Sequence, residues 1–282
     1  MSVQIIVDSA SDLTKERADA LNLDYMPLKT IFGETEYLDG VTISHKEFYE
    51  KLIECGTIPT TSQVSPHDFE AKFKEVKEAG DTAVVICLSS LLSGTYQSAH
   101  IALDGYEDCI TLVDSLNVCL GEQILVLYAV KRDEGLSAKE IAEKLEEKKK
   151  DVCVLAVFDT LEYLKQGGRI SKTAAWAGNI LSIKPVIAIE KGEVAILGKA
   201  RGSKNGNNIL IQEVKNKNGI DFSMPYMLGY SGLDDSLLRK YIADSADLWT
   251  GQTKELPIST IGSTIGTHAG PGAICVSFFH NA

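Results

Sequence analysis

Apolar and polar positions alternate with two periods along this chain, and the pattern changes near its middle. Residues 3–7 are a short β-rich run ending in Asp8-Ser9, and 13–21 then recur with helical spacing. A second strand is expected over 24–30. Ser44 and Glu47 have the spacing of a capping box and open a helix to about Cys55. Ser65-Pro66 supplies an N-cap and an N1 proline for a helix to about Ala79. Residues 82–88 are continuously apolar and β-branched, as in a strand buried on both faces. A helix over 94–103, a strand over 110–113, a helix over 120–134, a helix over 137–149 opened by a Ser137–Glu140 capping box, and a strand over 152–158 complete this half.

The second half reads differently. Residues 184–190 and 193–199 flank Lys191-Gly192 as a β-hairpin. A helix is expected over 207–216, a strand over 226–230, a helix over 234–245, and short strands over 258–262 and 273–279. The fold class is therefore α/β with two domains. Residues 1–165 form a three-layer domain with a mainly parallel sheet, and 166–282 an α+β domain with a mixed sheet. The segment LKQGGRI, 164–170, is the expected crossing.

Composition narrows the functional classes. At 282 residues the chain buries a full core without metals or disulfides. Lys+Arg against Asp+Glu is 28 against 39, a net charge of −11, which disfavours nucleic acid and anionic membrane surfaces as partners. The six cysteines, at 55, 87, 109, 119, 153 and 275, form no C-x-x-C pair. Most lie in apolar runs, as expected in a reducing cytoplasm. The opening MSVQIIVDSASD reads as a strand rather than a signal peptide, and the apolar runs are strand-length.

Three hydroxyl-rich segments carry the candidate chemistry: TTSQVSP from Thr60, SSLLSGTYQSAH from Ser89 and STIGTHAGPGA from Ser263. The second leaves the carboxyl end of an expected central strand and enters a helix, where open α/β sheets bind ligands. Hydroxyls and free N–H groups beside a helix N-terminus suit phosphate or carboxylate. The competing reading is that Ser93 caps the helix and Gly94 permits the turn. Ser65 and Pro66 are explained by capping, whereas Thr61, Ser62 and Gln63 are either ligand groups or a polar loop. His268, between glycine-rich flanks, is either a hydrogen-bond donor to an anion or an exposed loop histidine. Arg169 in GGRI and Arg201 in GKARG suit carboxylate or phosphate recognition, or surface ion pairs. Asp8 and Asp114 end strands and read equally as acids or caps. There is no G-x-S-x-G, no Walker loop, no kinase signature and no H-E-x-x-H. These features describe a binder of an anionic small molecule before an enzyme.

Taken together, VDSASDL, TTSQVSP, SSLLSGTYQSA, the VDS at Val113, LEYLKQGGRI, KPVIAIEKGEV, GKARG and THAGPGA resemble the DegV family of bacterial lipid-binding proteins along nearly the whole chain. The resemblance implies two α/β domains with an acyl chain in a tunnel near their interface. It implies a fatty-acid carboxylate held by Thr61, Ser62, Ser93 and His268. The likeness is strongest to the fatty-acid-binding subunit of a two-component fatty acid kinase, so the chain is expected not to be an enzyme itself. It implies no cofactor of its own. Its partners would be a long-chain fatty acid and a separate ATP-dependent subunit related to dihydroxyacetone kinases, with room for transient membrane contact. That subunit would make acyl phosphate for phospholipid synthesis. Arg201 would serve the encounter with the kinase and phosphotransfer, and Arg169 would lie near the carboxylate. A carrier for another apolar acid without a kinase partner, and a Ser93-dependent esterase using His268, are the alternatives.

Overall fold

The β-branched run at the N-terminus becomes the strand Val3–Asp8 in a computed structural model that describes residues 2–131, 135–170 and 183–281. It lies in a four-stranded sheet of order Asp24–Met26, Val3–Asp8, Thr82–Cys87, Ile110–Asp114, with all three pairings parallel. Alternation sorts the side chains by face. Ile6, Ala83, Val85 and Cys87 pack with Phe69, Phe73 and Ala99 from the helices Pro66–Glu78 and Thr95–Ala102. Ile5, Val7, Val84 and Ile86 pack on the other face with Ile124, Tyr128 and Ile141 from Leu120–Val130 and Ala138–Lys148. The expected capping boxes form at Ser44–Glu47 and Ser137–Glu140. The expected end of the helix at Glu134 lies outside the described residues.

The second sheet has six strands in the order Glu193–Arg201, Ile183–Glu190, Val152–Val157, Ile274–Phe279, Tyr226–Tyr230, Ile258–Thr260. Its last pair is parallel and the rest are antiparallel. Val152–Val157 is thus not the closing strand of the first sheet, as its position in sequence suggested. It is central in the second, and the change of sheet falls before it, upstream of the expected division at 165/166. The strand is apolar on both faces. Cys153, Leu155 and Val157 meet Leu210 and Val214 of the helix Ser203–Asn216, while Val154 and Ala156 face Leu120, Ile187 and Cys275. A doubly covered strand carries the same sequence signature in either sheet.

The expected strand 24–30 is two strands. Asp24–Met26 pairs in the parallel sheet, and Lys29–Phe32 is the centre of a small antiparallel sheet with Thr35–Leu38 and Thr60–Ser62. The break falls at Pro27, which has no N–H to donate, and the next N–H, that of Leu28, goes to Ser9 Oγ at 3.0 Å.

The helix Leu120–Val130 joins the two halves. It is buried at every position except Leu127 and Val130 and packs against strands of both large sheets. Within it Glu122 is fully buried, and neither carboxylate oxygen has a hydrogen-bond partner. Burial, reinforced by Asp8 and Asp12, holds its pKa well above the ordinary carboxylate value of 4.5, so the group is carried as the neutral acid. A raised pKa means that the folded state holds the proton more tightly than the unfolded chain. Its contribution is therefore fully present below the unfolded value of 4.5 and is lost as pH rises toward the folded one. The neutral isostere Glu122→Gln should match wild type in urea denaturation near pH 5 and exceed it near pH 8. A gap that stays constant with pH would contradict the neutral assignment.

Candidate functional site

Between the two halves lies a cavity of about 360 Å³, partly open to solvent. Its apolar walls include Leu88 and Val118 from the first half, Val154 and Ala156 on the inner face of the mixed sheet, and Ile187, Ile189 and Val194 on the hairpin. The hairpin is pinned at its tip. Ser89 Oγ donates to the Gly192 carbonyl at 2.7 Å, and Gly192 has φ +87°, a conformation that glycine adopts without strain. Size and lining match those of small-molecule sites, which are mostly apolar with a few placed polar groups.

Those polar groups converge from four segments. Thr61, Ser62 and Gln63 come from the edge of the small sheet, Ser93 and Gly94 from the turn before Thr95–Ala102, Arg169 from the turn after the helix Glu162–Gln166, and Thr264 and His268 from the helix Ser263–Ala269. His268 is therefore not a loop residue. The glycine-rich flanks hide a seven-residue helix, which has no side-chain N-cap of its own at Gly262.

His268 Nε2 lies 3.0 Å from Thr61 Oγ1. Its other nitrogen, Nδ1, is buried with no partner. The ring edge packs on Gly167, where a β-carbon would overlap it. Burial, then the charge of Arg169, pushes the His268 pKa down to about 4, so the imidazole is neutral at pH 7. Arg169 donates from Nε to the Leu92 carbonyl at 3.0 Å and from Nη1 to the Gly167 carbonyl at 2.6 Å. Both acceptors are neutral, and among the described residues no carboxylate pairs with it. Half-buried, its guanidinium pKa is lowered by desolvation. A cation so placed attracts an anion.

Ser93 Oγ lies 3.0 Å from Thr95 Oγ1 and accepts from the Thr95 N–H at 3.3 Å. Its bonds are thus to its own turn rather than to His268, and the imidazole carries no carboxylate orienter. That arrangement lacks the linked nucleophile, base and acid that an esterase reading of Ser93 requires. Gln63 locks the neighbouring segments together. Its Nε2 donates to Ser98 Oγ at 2.7 Å, and its amide fills the space where Gly94 has no β-carbon. Arg201 lies elsewhere. It ends the strand Glu193–Arg201 with an exposed side chain and does not line the cavity. Sequence reasoning passed over Thr264, whose buried Oγ1 has no partner and which faces the cavity. The hydroxyl-rich stretch around it was the available signal.

The fold is α/β, and its partly open apolar cavity carries hydroxyls, a neutral histidine and an arginine that no carboxylate pairs with among the described residues. The sequence pattern of the DegV family, described as uncharacterised proteins, matches residues 2–281, and the chain belongs to that family. A DegV domain-containing protein of Clostridium perfringens is 36% identical over 285 residues, covering 97% of this chain and 96% of its own. A DegV family protein from Thermus thermophilus, described by its fatty acid binding, superposes with a TM-score of 0.87 at 30% identity, over 99% of this chain and 100% of that one. A stearic-acid-binding protein from Eubacterium ventriosum gives 0.85 at 29% identity, over 98% and 97%.

Because the folded-state pKa of His268 lies below its unfolded value of 6.5, its contribution to stability is present above 6.5 and lost as pH falls through about 4. A ¹⁵N NMR titration should place its midpoint near 4, and Arg169→Gln should raise it. A midpoint near 6.5 in both proteins would contradict the burial described above.

Proposed function

We propose that this protein is a fatty-acid carrier. It buries the acyl chain between its two halves and presents the carboxylate to a separate ATP-dependent kinase subunit of the dihydroxyacetone-kinase type, which forms acyl phosphate for phospholipid synthesis. The observation that carries this reading is one cavity with two chemistries: apolar walls, and a polar end that offers a guanidinium, with no carboxylate partner among the described residues, beside hydroxyl donors. The fatty-acid ligands of the Thermus thermophilus and Eubacterium ventriosum proteins support it. Thr61, Ser62, Ser93 and His268 bind the carboxylate in this scheme, and Arg169 supplies the charge.

The energetics suit a carrier. Each buried methylene contributes about 0.8 kcal/mol, so a long tail dominates affinity while the polar end fixes orientation. A carboxylate bound by hydroxyls, a neutral imidazole and the Arg169 guanidinium stays ionised, and an oxygen left free of these donors can attack a γ-phosphate. The kinase brings ATP and Mg²⁺, since the sequence has no Walker loop. Arg201, exposed outside the cavity, serves the kinase encounter and phosphotransfer, and Arg169 lies near the carboxylate.

The test combines binding and turnover. Wild type should take up ¹³C-carboxyl oleate with a shifted carboxyl resonance and form acyl phosphate when a fatty acid kinase subunit and ATP are added. Ser93→Ala should cut turnover at least tenfold, whereas Arg201→Ala should keep oleate and lose kinase coupling. Uptake without acyl phosphate would leave a carrier for another pathway. Ester hydrolysis that Ser93→Ala abolishes would replace the carrier with an enzyme.

A further inference from the structure

The polar end of the cavity contains one residue whose position is set from outside the cavity. His268 arrives on Ser263–Ala269, a helix of seven residues with no side-chain cap of its own. A helix this short has little intrinsic stability, and its first N–H groups have no partners within it. Those donors are taken by two buried carboxylates from the other half of the chain. Asp12 Oδ1 accepts from the Gly262 N–H at 2.7 Å. Asp39 Oδ1 accepts from the Ser263 N–H at 2.9 Å and from Ser263 Oγ at 2.7 Å, and Asp39 Oδ2 accepts from the Thr264 N–H at 3.3 Å.

Asp39 is the more committed of the two. It is fully buried, both its oxygens point at the helix, and its own backbone is fixed: its N–H donates to the Leu28 carbonyl at 3.0 Å, and its carbonyl accepts from Tyr25 Oη at 3.3 Å. The bonds continue inward. Ser263 Oγ lies 2.9 Å from Thr30 Oγ1, and Thr267 Oγ1 donates to the Ser263 carbonyl at 2.8 Å. Thr30 is the antiparallel partner of Thr61, the residue that His268 reaches at 3.0 Å. The Thr61–His268 contact is therefore one side of a closed loop: Asp39 to Ser263, Ser263 to Thr30, Thr30 across the ladder to Thr61, Thr61 to His268, and His268 back along the helix.

We infer that Asp39 is a positioning residue for the carboxylate site: by holding the N-terminus of Ser263–Ala269 against the small sheet, it sets the distance between His268 and Thr61. It does not line the cavity. The inference rests on the carrier reading for its consequence, because a displaced His268 should weaken capture of a carboxylate while the apolar walls keep their grip on the tail.

The experiment compares an acid with its neutral counterpart. Oleate and methyl oleate are titrated into wild type and into the Asp39→Ala and Asp39→Asn variants. In parallel, ¹⁵N NMR of the unliganded proteins reports the His268 nitrogens. In Asp39→Ala the affinity for oleate should fall at least tenfold, that for methyl oleate should change less than threefold, and the Nε2 resonance should move as the Thr61 contact is lost. Asp39→Asn keeps one acceptor oxygen, so it should recover part of both effects. If Asp39→Ala does not fold, Asp39→Asn alone carries the comparison. Equal losses for acid and ester would show a general structural role and overturn the inference, as would unchanged His268 resonances in folded variants. Wild type that binds neither lipid would refute the carrier reading, whereas the His268 resonances would still decide the role of Asp39.

Discussion

One helix has to satisfy two sheets. Leu120–Val130 packs against the parallel sheet on one side and the mixed sheet on the other, which requires an apolar surface nearly all the way round. It fixes the spacing of the two halves. Just before its first residue, Val118 and Cys119 line the cavity while still packed with the core. Cys119 takes φ +59° there, outside the usual range for a side-chain-bearing residue, so the chain turns sharply where the cavity begins. The space for a ligand is what remains when the sheets are held apart by a helix that stops short of filling the gap.

Polar groups are then placed by elements from both halves, each by a local device. A strand edge delivers Thr61 and Ser62, a turn before a helix delivers Ser93, and the backbone of Gly167 holds both the His268 ring and the Arg169 guanidinium. The resulting electrostatics are asymmetric. Carboxylates are numerous in this acidic chain, yet Asp8, Asp12 and Asp39 are taken up by backbone N–H groups. The cation is left for a ligand, and the imidazole beside it stays neutral because a second positive charge there would be desolvated and repelled.

Much of this was legible in the sequence because the devices were local. Capping boxes at Ser44 and Ser137 and the proline at Pro66 mark helix starts wherever they occur, and the Lys191-Gly192 hairpin announces itself. Thr61, Ser62, Ser93, Arg169 and His268 stood out as small polar or cationic residues at element edges, and the fold gathers them round one cavity. What escaped depends on long-range pairing. Val152–Val157 reads as a buried strand in either sheet, and only its partner, Ile274–Phe279, decides which. The helix under His268 was invisible because its cap, Asp39, lies 224 residues from Ser263. Arg201 matched a motif but sits on the surface, where sequence offers no sign of what meets it.

The most direct measurement is mass spectrometry of the organic extract from freshly purified protein, followed by uptake of added oleate and palmitate. The account predicts free long-chain fatty acid approaching one molecule per chain, or, if the site is empty as isolated, saturable uptake at that ratio. An extract without lipid, together with no uptake of either acid, would contradict it.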